Sequence, residues 1–413
     1  MKVLVIGGGG REHALAWRLK RSPSVSEVVA SPGNPGIAAL GTCVPAPQDV
    51  SGYVDLAKAH GVDLTVVGPE VPLVGGVVDH FRRAGLAIVG PTAAAAQLEG
   101  SKVFAKRFFE RAGVPTARSI QTFTAEEAVA ALDNFDYPVV IKADGLAAGK
   151  GVVIAQNATL AQRAVQQLGP TLVIEEYLEG EEVSFIGLSD GKTVLPFAPT
   201  QDHKRAFDQD QGPNTGGMGA ICDQRILTEA QTGLIMDRIM MPAIRQMERE
   251  ATPFTGFLYA GLMMTTDGPK VLEFNVRLGD PETQALMYSF KGDLGELFLQ
   301  VAQEGSAPAE DIAWAQPSVC IVLSSQGYPD SPRTGDPIEG IEAAEVTGAT
   351  VFHAGTKWAD GRLVTSGGRV LGVTAAGHTL RSALQQAYQA VSHIHFDGMH
   401  YRKDIGQRGL RRW

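Results

Sequence analysis

The chain has 413 residues, 44% hydrophobic and 20% charged, with 36 Lys and Arg against 45 Asp and Glu for a net charge of −9. That composition excludes a disordered chain, and the acidic balance disfavours a general nucleic-acid binder, whose surface must neutralise phosphates, while leaving room for a local basic pocket for one small anion. The widely spaced Cys43, Cys222 and Cys320 exclude a disulfide framework and suit a reducing cytoplasm, and no apolar run approaches the roughly 20 residues of a bilayer span.

Met1-Lys2-Val3-Leu4-Val5-Ile6-Gly7 runs straight into glycines and reads as a first strand rather than a signal peptide. A helix over Arg11–Lys20 follows, with Leu15 and Leu19 one turn apart. Glu27–Ala30, Asp63–Val67 and Leu86–Val89 read as further strands separated by helical segments. This alternation predicts an open parallel α/β sheet over about 1–100, with ligands at the carboxyl ends of its strands. Gly100-Ser101-Lys102 opens a helix that Gly113 and Pro115 close. From about 116 to 184 strands dominate the reading, at Tyr137–Ala143, Val152–Ala155 and Leu172–Glu175. A long helix is expected at Thr228–Arg249 and a strand near Lys270–Arg277. Gln303–Gln316 reads as a linker, and the tail from Pro317 as strand-rich with one helix at Thr379–Ser392.

Three segments carry chemistry. Gly7-Gly8-Gly9-Gly10-Arg11-Glu12-His13 follows a strand and opens a helix, where backbone N–H groups can hold an anion. The alternative is a tight turn without a ligand. A dinucleotide fingerprint would need glycine where Glu12 stands and an acid after the second strand, which ends Ala30-Ser31. The second segment, Val139 to Val152, delivers Lys142 at the end of a buried strand and then Gly145, Gly149, Lys150 and Gly151. Only three residues separate Gly145 from Gly149, and Gly151 follows Lys150, so this is not the P-loop motif. A glycine loop of this kind can fold over phosphates; a hairpin with a surface lysine is the other reading. The third, Val271-Leu272-Glu273-Phe274-Asn275-Val276-Arg277, alternates. Glu273, Asn275 and Arg277 should share one strand face and Leu272, Phe274 and Val276 the other. A carboxylate and an amide oxygen two residues apart suit a hard cation held against phosphates, and Arg277 adds a fork for an anion.

Together these residues resemble the ATP-grasp ligases, and within them the glycinamide ribonucleotide synthetases. The resemblance spans nearly the whole chain through Gly9–Ala14, Val67–Glu70, Leu98–Lys102, Ile141–Gly151, Gln201–Arg205, Gly212–Ala220 and Arg277–Thr283. The family usually has Asn at the position of Gly8 and Phe at that of Leu278. The resemblance implies a mixed α/β and α+β multidomain fold. Its parts would be an N-terminal α/β domain (1–100), an ATP-grasp core of two subdomains (101–303, the lid at about 116–184) and a small strand-rich C-terminal domain (317–413).

The resemblance also implies joining of glycine to 5-phosphoribosylamine with ATP and Mg²⁺ or Mn²⁺, in the cytoplasm, by a monomer with no membrane or nucleic-acid partner. By the same resemblance Lys102 and Lys142 bind ATP phosphates, with Gly145, Gly149, Lys150 and Gly151 over them. Glu175, Glu176, Tyr177 and Leu178 form the adenine hinge, and Glu182 meets the ribose, unless it is simply a surface acid. Glu273 and Asn275 hold the metal. Arg277 and Asp280 hold glycine and, with Lys142, are the catalytic set. Asp202, Asn214, Thr215, Gly217, Met218, Gly219, Gly279 and Pro281 line the substrate pocket. Gly8, Gly9, Gly10, Arg11 and Glu12 bind the phosphoribosyl phosphate, while His13 is as readily a satisfied helix residue. A biotin-dependent carboxylase, a nicotinamide oxidoreductase and a non-catalytic nucleotide module are the competing readings.

Overall fold

The computed structural model describes residues 1–147, 151–303 and 312–413. Five parallel strands form the first sheet, in the order Thr42–Cys43, Glu27–Pro32, Lys2–Gly7, Leu64–Val67 and Ile88–Val89. Val3, Leu4, Val5 and Ile6 are all fully buried, as an apolar run covered on both faces requires. The helix Gly10–Leu19 starts directly at the carboxyl end of this central strand.

The helix Lys102–Ala112 links this sheet to the next unit. Ser101 caps it by accepting from Phe104 N at 3.0 Å, and Gly113 ends it in the left-handed region at φ 66°. Four antiparallel strands follow, in the order Ser119–Thr122, Leu172–Glu176, Val139–Ala143 and Val152–Ala155. Two helices pack on them, Ala125–Leu132 and Ala158–Leu168. Strands therefore do not dominate here as expected. Thr124 and Asn157 cap these helices by accepting from Glu127 N and Leu160 N. The unit has its own apolar core of Leu132, Val139, Ile141, Val165, Leu172 and Ile174.

The third sheet has nine strands. Its main path runs Gly268–Asn275, Thr255–Thr265, Glu181–Asp190, Thr200–Asp202, Gly219–Cys222, Ser318–Ser324, Arg369–Ala376 and Thr350–His353. Gly219–Cys222 pairs antiparallel with Ser318–Ser324, so backbone hydrogen bonds carry the tail's strands directly onto those from the middle of the chain. The expected tail helix is Leu380–Val391, capped by Thr379, and the tail carries a second, shorter one at Ile341–Val346.

Several expectations change in detail. The helix expected at Thr228–Arg249 is two α-segments, Glu229–Ile235 and Met241–Arg249, joined by a π-turn at Met236–Met240. Pro242 is the second residue of the second segment, and its missing N–H cannot continue a regular ladder. Of the expected linker, 304–311 lies outside the described residues. Ala313–Trp314 instead forms a strand against Phe290–Lys291, with Trp314 on the rings of Phe197 and Phe290. The strand before Arg277 ends at Asn275 and carries a bulge, since Gly261 faces Glu273 while Leu262 faces Val271. The extra residue breaks the alternation, so Leu272 leaves the buried face of Phe274 and Val276 and packs near Ala117, Leu178 and Met263.

Candidate active site

The cleft lies where the four-stranded unit meets the nine-stranded sheet. Thr116 forms a parallel bridge with Val271, and Lys142 Nζ donates to Leu272 O at 2.9 Å. Lys142 comes from the central strand Val139–Ala143 and is 7% exposed. Its Nζ is 3.0 Å from Glu175 Oε2, and Glu175 Oε1 is 3.3 Å from Lys106 Nζ. Lys102 opens its helix and donates to Gly145 O at 2.8 Å. Asp144 ties the same loop down by accepting from Val103 N and Ser101 Oγ. Burial holds the Lys102 ammonium below its ordinary pKa, partly offset by Glu273.

Of the expected hinge, Glu176 accepts from Arg118 N at 2.9 Å, Tyr177 is exposed and Leu178 is buried. Glu182 pairs with Lys204 Nζ at 3.3 Å, which also stands 4.0 Å from Glu273. Glu182 is the main cause that raises the Lys204 pKa. Gly149 and Lys150 lie outside the described residues; Gly145 and Gly151 flank them.

Glu273 and Asn275 project from the end of their strand into this cation-rich region. Burial opposes ionisation of Glu273, but Lys204, Lys142, Lys102 and Arg277 outweigh it and hold the carboxyl below its ordinary value. No three His, Cys, Asp or Glu groups among the described residues converge as a complete metal cage. An ionised carboxylate beside an amide oxygen nevertheless fits a divalent cation whose shell is completed by phosphate and water oxygens.

Arg277 lies just past the strand and is already clamped. Its Nη2 donates to Glu99 Oε1 at 2.7 Å and Asn275 Oδ1 at 3.1 Å, and its Nε to Glu70 Oε2 at 3.2 Å. Among the described residues its Nη1 reaches only Leu278 O, at 3.4 Å. Burial works against the guanidinium charge, yet Glu99 and Glu70 push its pKa above the ordinary value.

The turn after Arg277 meets the front glycine loop. Arg11 Nη1 donates to Leu278 O at 3.1 Å, and its Nε lies 2.6 Å from Glu12 Oε1. Glu12 Oε2 accepts from Gly9 N at 2.6 Å, so both Glu12 oxygens shape the loop itself. Gly8 runs against the Gly33 carbonyl, where any Cβ would collide. Asp280 accepts from Gln284 Nε2 at 2.8 Å and lies 3.4 Å from Arg369 Nη2. Burial opposes its ionisation, but Arg369 and Arg11 hold its carboxyl below the usual range.

Asp202 begins the remaining wall. Burial, reinforced by Glu282, raises its pKa well above the usual carboxylate value. Glu282 is buried and accepts from Tyr259 OH at 2.5 Å. Gly217, at φ 110°, presses between Asp202 and Pro281, where a Cβ would stand 2.7 Å from Asp202 Oδ1 and 2.5 Å from Pro281 Cδ. Thr215 Oγ1 bonds Lys204 O and Gly217 N, Asn214 ends the strand before it, and Gly219 opens the next. Met218 is fully buried. Gly10 abuts Gln284, and the Gly279 carbonyl accepts from Thr283 Oγ1.

Several site residues were missed by the sequence reading. Arg369 Nη1 donates to both Gly216 O and Asp280 O at 2.5 Å, joining the two loops from a tail strand. Asn34 Nδ2 bridges Gly8 O at 2.9 Å and His353 O at 2.8 Å. His13 Nδ1 accepts from His353 N at 2.7 Å and is pushed down to about 3 by burial and by His353, so it is a neutral, satisfied helix residue. Lys106, Glu70 and Glu99 complete the set.

A two-body cleft of this kind, with Lys102 at a helix start and Lys142 on a strand on one side and an acid–amide strand end on the other, defines an ATP-grasp protein. Models of the phosphoribosylglycinamide synthetase N domain, ATP-grasp (A) domain and C domain match residues 1–99, 100–283 and 318–408. The chain belongs to the phosphoribosylglycinamide synthetase family. It is 51% identical over 428 aligned residues to the phosphoribosylamine–glycine ligase of Escherichia coli (strain K12), covering 100% of this chain and 99% of that protein. The crystal structure of phosphoribosylamine–glycine ligase from Thermotoga maritima superposes with a TM-score of 0.85 at 34% identity, covering 98% of this chain and 100% of that one. The biotin carboxylase domain of Hydrogenobacter thermophilus 2-oxoglutarate carboxylase shares the fold, with a TM-score of 0.72 at 18% identity, covering 97% of this chain and 91% of that one. No helix among the described residues is long and apolar enough to cross a membrane.

Proposed function

We propose that the chain joins glycine to 5-phosphoribosylamine, converting ATP to ADP and phosphate, as the second step of de novo purine synthesis. The observation that carries this is the position of Glu273 and Asn275, set between the lysines of the nucleotide side and the clamped Arg277. A carboxylate does not react with an amine near neutral pH, because oxide is a poor leaving group. A carboxylate oxygen of glycine therefore attacks the γ-phosphorus and ADP departs, giving glycyl phosphate. The amine nitrogen then attacks the carbonyl carbon, phosphate departs with that oxygen, and the nitrogen loses a proton.

The protein's part is positioning and charge neutralisation. Lys102 and Lys142 receive the ATP phosphates, Glu175–Leu178 the adenine, and Glu182 the ribose. Glu273 and Asn275 would hold Mg²⁺ or Mn²⁺, which when bound neutralises the phosphate oxygens. Arg277, fixed by Glu70 and Glu99, offers Nη1 to the glycine carboxylate. Asp280 and Asp202 face the ammonium end, with the loop Asn214–Gly219 around them. The front loop with Arg11 takes the phosphate of phosphoribosylamine. The glycine loop Gly145–Gly151 shields glycyl phosphate from water. The chain works as a monomer in the cytoplasm.

The test is phosphate release with ATP, glycine and freshly made phosphoribosylamine, omitting each in turn. Turnover requiring all three is expected. Turnover driven by bicarbonate and biotin without glycine would assign the chain to carboxylase chemistry instead.

A further inference from the structure

Beneath the nucleotide side lies a buried charge cluster that the mechanism above uses only in part. Glu175, 2% exposed, sits between two lysines: one oxygen is 3.0 Å from Lys142 Nζ and the other 3.3 Å from Lys106 Nζ. Lys106 is 6% exposed and comes from the middle of the helix Lys102–Ala112. Its other bonds run to Thr116 Oγ1 at 2.7 Å and Ala117 O at 3.2 Å. Thr116 in turn donates to Val271 O at 2.7 Å, so Lys106 fastens Glu175 to the strand that carries Glu273.

An isolated buried Lys142–Glu175 pair would be neutral, and its lysine would have its charge largely spent. Adding Lys106 to the second oxygen makes the cluster net positive. We infer that Lys106 is a positioning residue of the ATP site: it shares Glu175, so that Lys142 keeps an uncompensated charge directed at the nucleotide phosphates. This rests on the reading of Lys142 as a phosphate-binding residue. Lys106 itself does not touch ATP; it acts through Glu175.

The groups that face Lys106 are Glu175 and Glu176 from one strand and Lys142 from the next. Burial, foremost, brings its ammonium down to about 8, against the pull of Glu175 and with added repulsion from Lys142. Wild-type affinity for MgATP should therefore fall as pH rises through about 8, where Lys106 loses its proton.

The experiment is a titration of MgATP binding from about pH 7 to about pH 9 in the full chain. Lys106→Met is expected to raise Kd by about tenfold to a hundredfold at about pH 7 and to abolish the alkaline limb. Lys106→Arg should bind near the wild-type level at about pH 7 and also lack the limb, because a guanidinium does not titrate there. A merely structural lysine would give neither the rescue nor the lost limb. Lys142→Met separates the two claims. If it loses MgATP while Lys106→Met binds normally, the inference falls and the phosphate-binding reading stands. If Lys142→Met binds normally, that reading falls. Should Lys106→Met fail to fold, Lys106→Arg decides: an alkaline limb identical to wild type overturns the inference.

Discussion

The two sides of the cleft, assigned in the proposal above to the nucleotide and to the amine, are held together by different means. On the nucleotide side, long charged side chains on regular elements pair with one another in burial, as in Lys106–Glu175–Lys142. On the amine side, loops are stitched by side chains that bond backbone atoms of distant segments. Arg11 reaches Leu278 O, Arg369 reaches Gly216 O and Asp280 O, and Asn34 reaches Gly8 O and His353 O. His203 lies between Gly219 O and Gly406 N. The contrast teaches that a strand or helix can place a charge by itself, whereas a loop keeps its shape only through partners elsewhere in the chain. Substitutions on the first side should change local charge, and those on the second should distort a pocket from afar.

The largest effect is expected at Lys142→Met, which removes one partner of a buried pair and a phosphate contact together. The scale for such a loss is about 3–5 kcal/mol, read as lost MgATP affinity and turnover with the fold retained by circular dichroism. Arg277→Lys should cost about 2–3 kcal/mol in kcat/KM for glycine, because lysine cannot keep the planar contacts to Glu70 and Glu99 while facing the substrate. ATP affinity should stay near wild type; lost ATP binding with normal glycine kinetics would move Arg277 to the nucleotide side. Arg369→Gln should raise KM for glycine and for phosphoribosylamine by about 1–2 kcal/mol through two loosened loops, again sparing ATP. If it weakened ATP binding instead, the contrast between the two sides would fail.

A separate effect, on stability rather than on substrate kinetics, comes from three histidines. His13 is pushed down to about 3, and His203 and His353 to about 4, chiefly by burial. Each is neutral in the fold and has a lower pKa there than in the unfolded chain, so the unfolded state binds protons first. Stability is therefore full above about pH 6.5 and is lost as pH falls toward the folded values, by about 2 kcal/mol per histidine at about pH 5. Thermal melting across this range checks it, and His13→Asn should flatten the slope.

The placement of Lys102 and Lys142 was largely legible in the sequence, because both stand at the ends of patterned elements. The helix cap at Ser101 and the stop at Gly113 were readable for the same reason. Lys106 was not legible, since a lysine within a charged helix looks like a solvated face until its burial is known. Glu70 and Glu99 lie in motif segments, but nothing local shows that both turn to Arg277. The bulge at Leu272 left no mark, because one extra residue changes the facing of side chains and not their order. The helices Ala125–Leu132 and Ala158–Leu168 did leave signals, in Thr124 with Glu127 and in Asn157, and a closer search for caps would have found them. Arg369 and His353 offered none: their partners are segments far earlier in the chain, joined only when the tail strands extend the central sheet.

Oxygen tracing tests the central claim most directly. Glycine labelled with ¹⁸O in its carboxylate is turned over with ATP and phosphoribosylamine, and the released phosphate is analysed by mass spectrometry. Formation of glycyl phosphate predicts one labelled oxygen in each phosphate, carried over when the amine displaces it. Unlabelled phosphate, with ADP still formed in step with the amide product, would contradict an acyl phosphate route.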